Sequence, residues 1–413
     1  MSQRTYAPST STFAEDPDRY RKDGLHPLVI GDIINNGRYR IMHKLGSGSF
    51  ATIWLCRDTS EHRYVSVKVL SGESSLDCKE IQILEAITTT TVAHKGREFV
   101  VQLLDHFVID GPNGKHWCLV TKVAGSRLER KPGLPYNSLE WPRVASLQVA
   151  EALAFLHTLG IAHGDCYTSN VLFQLQYFDE WSEEEVYACM GQPNKHPVRR
   201  LDGQPRGGNA PEYTVDPGDV VALEQRLPTD KIILIDLGAA FYHGEDLDHI
   251  WTPAPHSAPE IVFGGDLTYQ VDKWAFGCLL YELCADHTLV KLLFGWNNDA
   301  MKDQVAMLGK PPSALWKNWE ARDKYFHPDG TPKEAQGRRL KVKPLPLKQR
   351  VMNLDKPLSE RDYGTGDEAP LPPHLQDLYD LLEGIITYDA KARLSFDEIL
   401  SHPFFSGART PKI

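Results

Sequence analysis

Apolar and polar residues alternate with a period of two from Tyr39 onward. Tyr39, Ile41 and Leu45 stand among polar neighbours, a glycine turn follows, and Ile53-Trp54-Leu55 resumes the pattern. This predicts two strands joined by a turn. Val65, Val67 and Val69 share one face of a third strand, which puts Lys68 on the opposite face. Asp77 to Ile87 reads as a helix. From Ala145 the period lengthens: Ala145, Val149, Leu153 and Leu156 recur at helical spacing, and Gly160 stands at a C-cap position. Val171-Leu172-Phe173 and Ile232 to Ile235 are short strand signals, and the chain beyond Ala258 is helix-rich. Between the two strand signals, residues 174–231 differ in character. Asp179, Glu180, Glu183, Glu184 and Glu185 lead into Pro- and Gly-rich sequence, so an inserted, largely irregular segment is expected. Residues 1 to about 18 are Ser/Thr-rich and polar and are expected to be disordered, with order beginning near Tyr20.

Composition narrows the class without naming it. The 413 residues are 41% hydrophobic and 24% charged, ordinary values for a globular protein. No run approaches the ~18 uninterrupted apolar residues of a membrane helix. The richest stretch, Trp274 to Ala285, is interrupted by Glu282. Met1-Ser2-Gln3-Arg4 lacks a signal-peptide core. Seven cysteines without a CxxC pair read as reduced thiols in the cytoplasm or nucleus. A net charge of −10 argues against general nucleic-acid binding and suits basic partners, although solubility alone explains it equally well.

Four short runs carry candidate chemistry. Gly46-Ser47-Gly48-Ser49-Phe50-Ala51-Thr52-Ile53 holds a Gly-x-Gly turn whose backbone amides a phosphate can approach. Such turns also occur in ordinary hairpins, so its place between two strands and ahead of Lys68 matters more than the glycines. Lys68 in Val65-Ser66-Val67-Lys68 is either a lysine snorkelling from an edge strand or a cation paired with Glu80 against a phosphate. His163-Gly164-Asp165-Cys166-Tyr167-Thr168-Ser169-Asn170 and Ile235-Asp236-Leu237-Gly238 place two carboxylates and an amide next to strands. Asp165, Asn170 and Asp236 together supply a proton acceptor and oxygen ligands for magnesium. A lone Asp more often caps a turn, but three such groups in this order make that reading improbable. Ala258-Pro259-Glu260 and the distant Arg393 are either surface charges or the two halves of a buried ion pair.

The order of these motifs resembles that of the protein kinases. Finer matches resemble the SR-protein kinases, within the wider group that includes cyclin-dependent and MAP kinases. They are Tyr20 to Pro27 with Ile30-Gly31-Asp32 and Gly37-Arg38-Tyr39, then Phe50 to Cys56, Gly111 to Val120 and Asp236-Leu237-Gly238, while Leu308-Gly309-Lys310-Pro311-Pro312 resembles the insert region of the wider group. The resemblance implies an α+β, bilobal protein-kinase fold with a small β-rich N-lobe over 37–124 and a larger helical C-lobe over 125–406. The C-lobe would be interrupted by the 174–231 insert, with an extension over 1–36 and a tail over 407–413. It implies an ATP- and Mg2+-dependent serine/threonine kinase acting on Arg-Ser-rich protein substrates, constitutively active, monomeric, in the cytoplasm and nucleus, with no direct nucleic-acid or membrane partner. Lys68 and Glu80 would grip the nucleotide, Asp165 would take the substrate proton, and Asn170 and Asp236 would bind magnesium. Leu45, Gly46, Ser47, Gly48, Ser49, Phe50 and Ile53 would cover the nucleotide. Thr121 would be the gatekeeper, Lys122 and Ala124 the adenine-edge contacts, and Ser66 and Leu172 the flanks of the ring. Ala258, Pro259, Glu260, Asp272 and Arg393 would be structural, Asp272 anchoring the catalytic loop.

The chain departs from the family pattern at several points. Ala51 replaces a third glycine, Gly164 the usual Arg, Tyr167 the usual Lys, and His256-Ser257 the usual Tyr-Arg. Gly164 removes the cation that pairs with a phosphorylated activation loop. Gly164 and Tyr167 keep open a nucleotide-binding scaffold with little catalysis. A small-molecule kinase with a His-Gly-Asp loop is a further alternative, opposed by Ala-Pro-Glu, Asp272 and Arg393.

Overall fold

The computed structural model describes residues 4–76, 78–129, 138–292, 297–334, 342–356 and 370–408. Two compact units result, one comprising Met1–Thr91, Val101–Ser126 and Leu172–Thr229, the other Val92–Val100, Arg127–Val171 and Asp230–Ile413.

The first unit is built on a six-stranded antiparallel sheet of β1 (Ile33–Ile34), β2 (Tyr39–Ser47), β3 (Ala51–Asp58), β4 (Arg63–Leu70), β5 (Asp105–Gly111) and β6 (Gly114–Thr121), in the order β1-β2-β3-β4-β6-β5. Alternation sorts its residues. Tyr39, Ile41, Trp54, Cys56, Val65, Val67, Val69, Cys118 and Val120 pack into one apolar cluster. Lys68 is therefore left on the other face, paired in register with Ile53. The helix Lys79–Thr89 follows β4 and carries Glu80 in its first turn.

The 174–231 segment is irregular over most of its length, as expected, but it also holds regular elements that the sequence reading did not single out. It forms the helices Glu183–Met190 and Val220–Arg226 and a small hairpin of Lys195–Pro197 with Tyr213–Val215, and it belongs to the sheet unit rather than to the helical one. Its few apolar residues explain this. Phe178, Val186, Met190 and Leu223 bury against Met42, Leu55 and Tyr64 of the sheet, so the Pro- and Gly-rich remainder is tied down at both ends. Ser182 and Glu185 close a capping box at the start of the first helix.

Disorder of the first 18 residues does not hold for residues 4–18. Tyr6, Tyr20 and Leu25 join Val198 and Ala210 in a buried cluster, and the Ala7 amide donates to the Arg199 carbonyl. Glu15, Tyr20 and Lys44 are all buried. The Glu15 carboxylate takes the Lys44 ammonium and accepts from the Tyr20 hydroxyl, so no charge is left uncompensated. Residues 1–3 and 409–413, ends of the expected extension and tail, lie outside the described residues.

The second unit is helical. Gln270–Ala285 is apolar on almost every side and correspondingly buried, with Asp272 at 0% exposure. Its Gly277 has no room for a side chain, since an added Cβ would meet Ile385 and Ile386 at 2.9 and 2.8 Å. The helix Glu140–Thr158 ends at Leu159, with Gly160 beyond it in the left-handed region at φ +71°. Among the described residues no helix is long and apolar enough to cross a membrane.

Candidate active site

The site residues of the first unit begin with the turn between β2 and β3. Leu45, Gly46 and Ser47 end β2, Gly48 to Phe50 form the turn, and the Gly48 amide donates to the Ala51 carbonyl at 3.0 Å. Ile53 follows in β3. Lys68 Nζ lies 2.8 and 2.9 Å from the two Glu80 oxygens. Lys68 keeps 22% of its side chain exposed while Glu80 keeps 8%, so the ammonium is held by its partner yet open on one side. A cation so fixed on a rigid strand suits a phosphate ligand. Ser66 of β4 pairs with Thr121 at the end of β6. Lys122 and Ala124 continue the chain from there, and the Lys122 ammonium reaches the Tyr177 hydroxyl at 3.2 Å. Leu172 lies in the strand Val171–Gln174.

In the second unit the catalytic-loop candidates converge. The Asn170 side-chain amide donates to the Asp165 carbonyl at 2.9 Å and to Asp165 Oδ2 at 2.8 Å. Asp165 Oδ1 is buried and has no partner among the described residues. That oxygen is what a hydroxyl donor would satisfy. Burial, assisted by the nearby Asp236 and Asp272 charges, pushes the Asp165 carboxyl from the ordinary 3.8 up to about 7, with the Asn170 bond opposing. Backbone pairing aligns the third member: the Ile235 amide donates to the Asn170 carbonyl at 2.9 Å, and Asp236 follows directly, at φ +61°.

A second layer holds this loop. Asp272 accepts from the His163 and Gly164 amides at 2.8 and 2.9 Å and from His157 Nε2 at 2.8 Å. These bonds hold its buried carboxyl below the usual range despite desolvation, which pulls the other way. His163 accepts from the Asp165 amide at Nδ1 and bonds the Ile235 carbonyl through Nε2, a pattern that needs one neutral tautomer. Burial, pushing its pKa down, keeps it neutral. Gly164 is at φ +76°, and the Thr252 hydroxyl donates to its carbonyl at 2.6 Å. Ser257 in turn donates to the Thr252 carbonyl at 2.9 Å.

Glu260 and Arg393 form a two-pronged pair at 2.6 and 2.8 Å with 7% and 0% of their side chains exposed. Arg393 also donates to the Gln270 and Thr387 carbonyls. Ala258 and Pro259 open the helix Pro259–Val262 that carries Glu260.

Sequence reasoning missed His157 and the acidic cleft next to the loop. His157 follows Leu153 by four residues on the buried face of its helix, a spacing that could have found it. The cleft, about 500 Å³, is lined in part by Glu129, Tyr167, His256, Glu282 and Asp286. His256 Nε2 reaches Glu282 Oε2 at 2.9 Å, and the Tyr167 and His256 rings lie 5.6 Å apart. No short-range sequence signal links these positions.

Among the described residues no cluster of three or more His, Cys, Asp or Glu could hold a metal unaided. The donor set of Asp236 and Asn170 still fits magnesium, which takes one or two protein oxygens with the rest from phosphate and water. With its amide nitrogen committed to Asp165, Asn170 has its side-chain oxygen to offer a cation.

The protein-kinase-domain model matches residues 39–179 and 223–405, and the chain belongs to that family. Among its relatives is the serine/threonine-protein kinase AFC1 of Arabidopsis thaliana, 28% identical over 95% of this chain and 76% of the relative. The serine/threonine-protein kinase SRPK of Physarum polycephalum is 28% identical over 76% of this chain and 77% of its own. SRSF protein kinase 3 of Homo sapiens is 40% identical over 38% of this chain and 29% of its own length. The chain is thus similar to SR-protein kinases in particular.

Proposed function

We propose that this protein is an ATP- and magnesium-dependent serine/threonine protein kinase that phosphorylates Arg-Ser-rich proteins. The observation that carries the reading is the Asp165–Asn170 arrangement: one carboxylate oxygen held by the amide, the other buried and unpartnered. A serine hydroxyl donating to Oδ1 would be oriented by a fixed acceptor whose proton affinity near neutrality suits a general base. Lys68, held by Glu80, would position the nucleotide phosphates. Bound magnesium would neutralise charge on the transferring group, and Asp236 and Asn170 are the residues that would hold it.

The basic substrate class is supported by the cleft beside the loop. Glu282 and Asp286 bring carboxylates to a space that Tyr167 and His256 also line, while Glu129 there is already paired with Arg127, so the net negative lining favours arginine side chains flanking a target serine. The relatives' names point the same way. The loop contacts support a reading of constitutive activity. Thr252 and Ser257 tether the segment ahead of Ala258-Pro259-Glu260 through neutral hydrogen bonds, and Gly164 offers no cation to a phosphate. Seven free thiols suit the reducing cytoplasm or nucleus.

The test is phosphate incorporation from Mg-ATP into an Arg-Ser repeat peptide beside an Asp165→Asn control and a Lys-free acidic peptide. Transfer confined to the wild type and the basic peptide is expected. Equal incorporation by the Asp165→Asn protein would remove the reading.

A further inference from the structure

The N-terminal segment is folded against the strands that form the glycine turn, and three separate contacts place it there. At the root of β2, Lys44 is held by Glu15, itself bonded to Tyr20. Beyond the end of β4, the Gly72 and Glu73 amides donate to the Gly24 and Asp23 carbonyls at 2.9 and 2.7 Å. At the tip of the turn, Arg19 NH1 donates to the Gly48 carbonyl at 2.5 Å. The first two contacts are on regular structure and fix residues 15–24. The third reaches from that fixed base to the Gly48 carbonyl, which the Gly48–Ala51 bond across the turn does not engage.

The Gly48 carbonyl belongs to the same peptide group as the Ser49 amide. In a trans peptide these two point in opposite directions. Drawing the carbonyl toward Arg19 therefore aims the Ser49 N–H to the other side of the turn, and that N–H has no partner among the described residues. Without the arginine, this peptide plane would lose the bond on its carbonyl and be less restrained, because Gly48 imposes no side-chain barrier on its own side. A phosphate arriving at the turn would then pay the entropy of fixing it. Arg19 is half-buried; its backbone bonds Asp16 and Leu25, and its guanidinium makes no other hydrogen bond among the described residues. Ala51 in place of a third glycine leaves the turn with two flexible positions, of which Gly48 is the one braced.

We propose that Arg19 is a positioning residue for the nucleotide: by holding the Gly48–Ser49 peptide it presents the Ser49 amide to the terminal phosphate of ATP. This rests on the kinase reading, and the experiment separates the two. Wild type, Arg19→Ala and Arg19→Lys are compared for KM and kcat with Mg-ATP, for affinity toward Mg-ATP and Mg-ADP, and for melting temperature. Arg19→Ala is expected to raise the KM for ATP and lower ATP affinity by about tenfold, the worth of one well-placed hydrogen bond. Affinity for ADP, which lacks that phosphate, should change less than about twofold, and Arg19→Lys, which keeps one donor, should recover most of the loss. Melting temperature should stay within about 2 °C, as for a surface substitution. Unchanged ATP affinity in Arg19→Ala overturns the proposal. So does a parallel fall in ATP affinity, ADP affinity and melting temperature without rescue by lysine, which would make Arg19 merely structural. A wild-type protein that binds neither nucleotide overturns the kinase reading and the inference with it.

Discussion

A Cβ atom on Gly164 would stand 2.5 Å from the carbonyl oxygen of Ala239. Two constraints meet at this residue, since its φ of +76° already lies where only glycine is at ease. The family's arginine at this position could not enter this loop as it stands. The loss of a phosphate-binding cation and the close approach of the catalytic loop to the Asp236-Leu237-Gly238 segment are therefore one structural choice.

Gly164→Ala should displace either the loop or the Ala239 carbonyl. The left-handed conformation alone costs roughly 1–2 kcal/mol in a non-glycine residue. A loss of that size or more in chemical denaturation is expected, together with at least about a tenfold fall in kcat, because Asp165 is the next residue along. Gly164→Arg should behave no better than alanine and should not create phosphate-dependent activation. Wild-type kcat in Gly164→Ala would show that the loop tolerates the shift.

Much of this site was legible in the sequence, but only where a local period aimed the side chain. The phase of Val65, Val67 and Val69 put Lys68 on the free face of its strand, and the next helix began with Glu80, so their contact followed from short-range pattern. Asp165, Asn170 and Asp236 were readable because each sits beside a short apolar strand. Glu260 and Arg393 were readable only as alternatives, surface charges or a pair, since nothing local binds residues so far apart. The order of residues 4–18 and the anchors of the insert were missed for the same reason. Tyr6 and Tyr20 find Val198 and Ala210 nearly two hundred positions away, and a polar composition conceals so few anchors. The Ser182–Glu185 capping box was a local signal that could have revealed the helix Glu183–Met190.

Arg393→Ala should be among the most destabilising single changes in the helical unit. It leaves the buried Glu260 carboxylate without its two-pronged partner and also removes donors from the Gln270 and Thr387 carbonyls. A loss of ~3–5 kcal/mol is expected in urea unfolding. Glu260→Gln, which keeps the shape without the charge, should cost less than Arg393→Ala. The double variant should be more stable than the sum of the two predicts, because each single change strands the other partner. Strict additivity would mean the two residues act independently, against their geometry.

Asp165→Asn should separate stability from function. The Asp165 carboxyl titrates near 7 in the folded protein against an ordinary 3.8, so between those values the folded state binds more protons than the unfolded one. Stability therefore falls as pH rises through that window, and the full cost of the buried charge is present above about pH 7. The asparagine variant carries no such charge. In metal-free buffer its melting temperature should match the wild type near pH 4 and exceed it at pH 8, by about 2–4 °C for each kcal/mol recovered. Phosphotransfer should be abolished. A variant that melts below the wild type at pH 8 would indicate that the carboxylate is stabilised by contacts other than those described.

Tyr167 presents the sharpest question about rate. It lies two residues beyond Asp165, the proposed base, and its phenol is pushed upward by burial first and then by the Asp165 and Asp236 charges. That ordering identifies a negative field at the position, which a tyrosine does not neutralise and an ammonium would. Tyr167→Lys should therefore be electrostatically welcome, at the cost of the ring contact with His256. If transfer in the wild type is limited by the missing cation, kcat on an Arg-Ser peptide should rise at least about tenfold, a fraction of what one transition-state donor can contribute. KM for ATP should change less, because the added charge acts on the transferring group rather than on the bound nucleotide. The measurement is steady-state kcat and KM at pH 7.5 with the Asp165→Asn protein as background. A kcat equal to or below the wild type would show that Tyr167 is integrated into this loop as it is and that no missing cation at this position limits the rate.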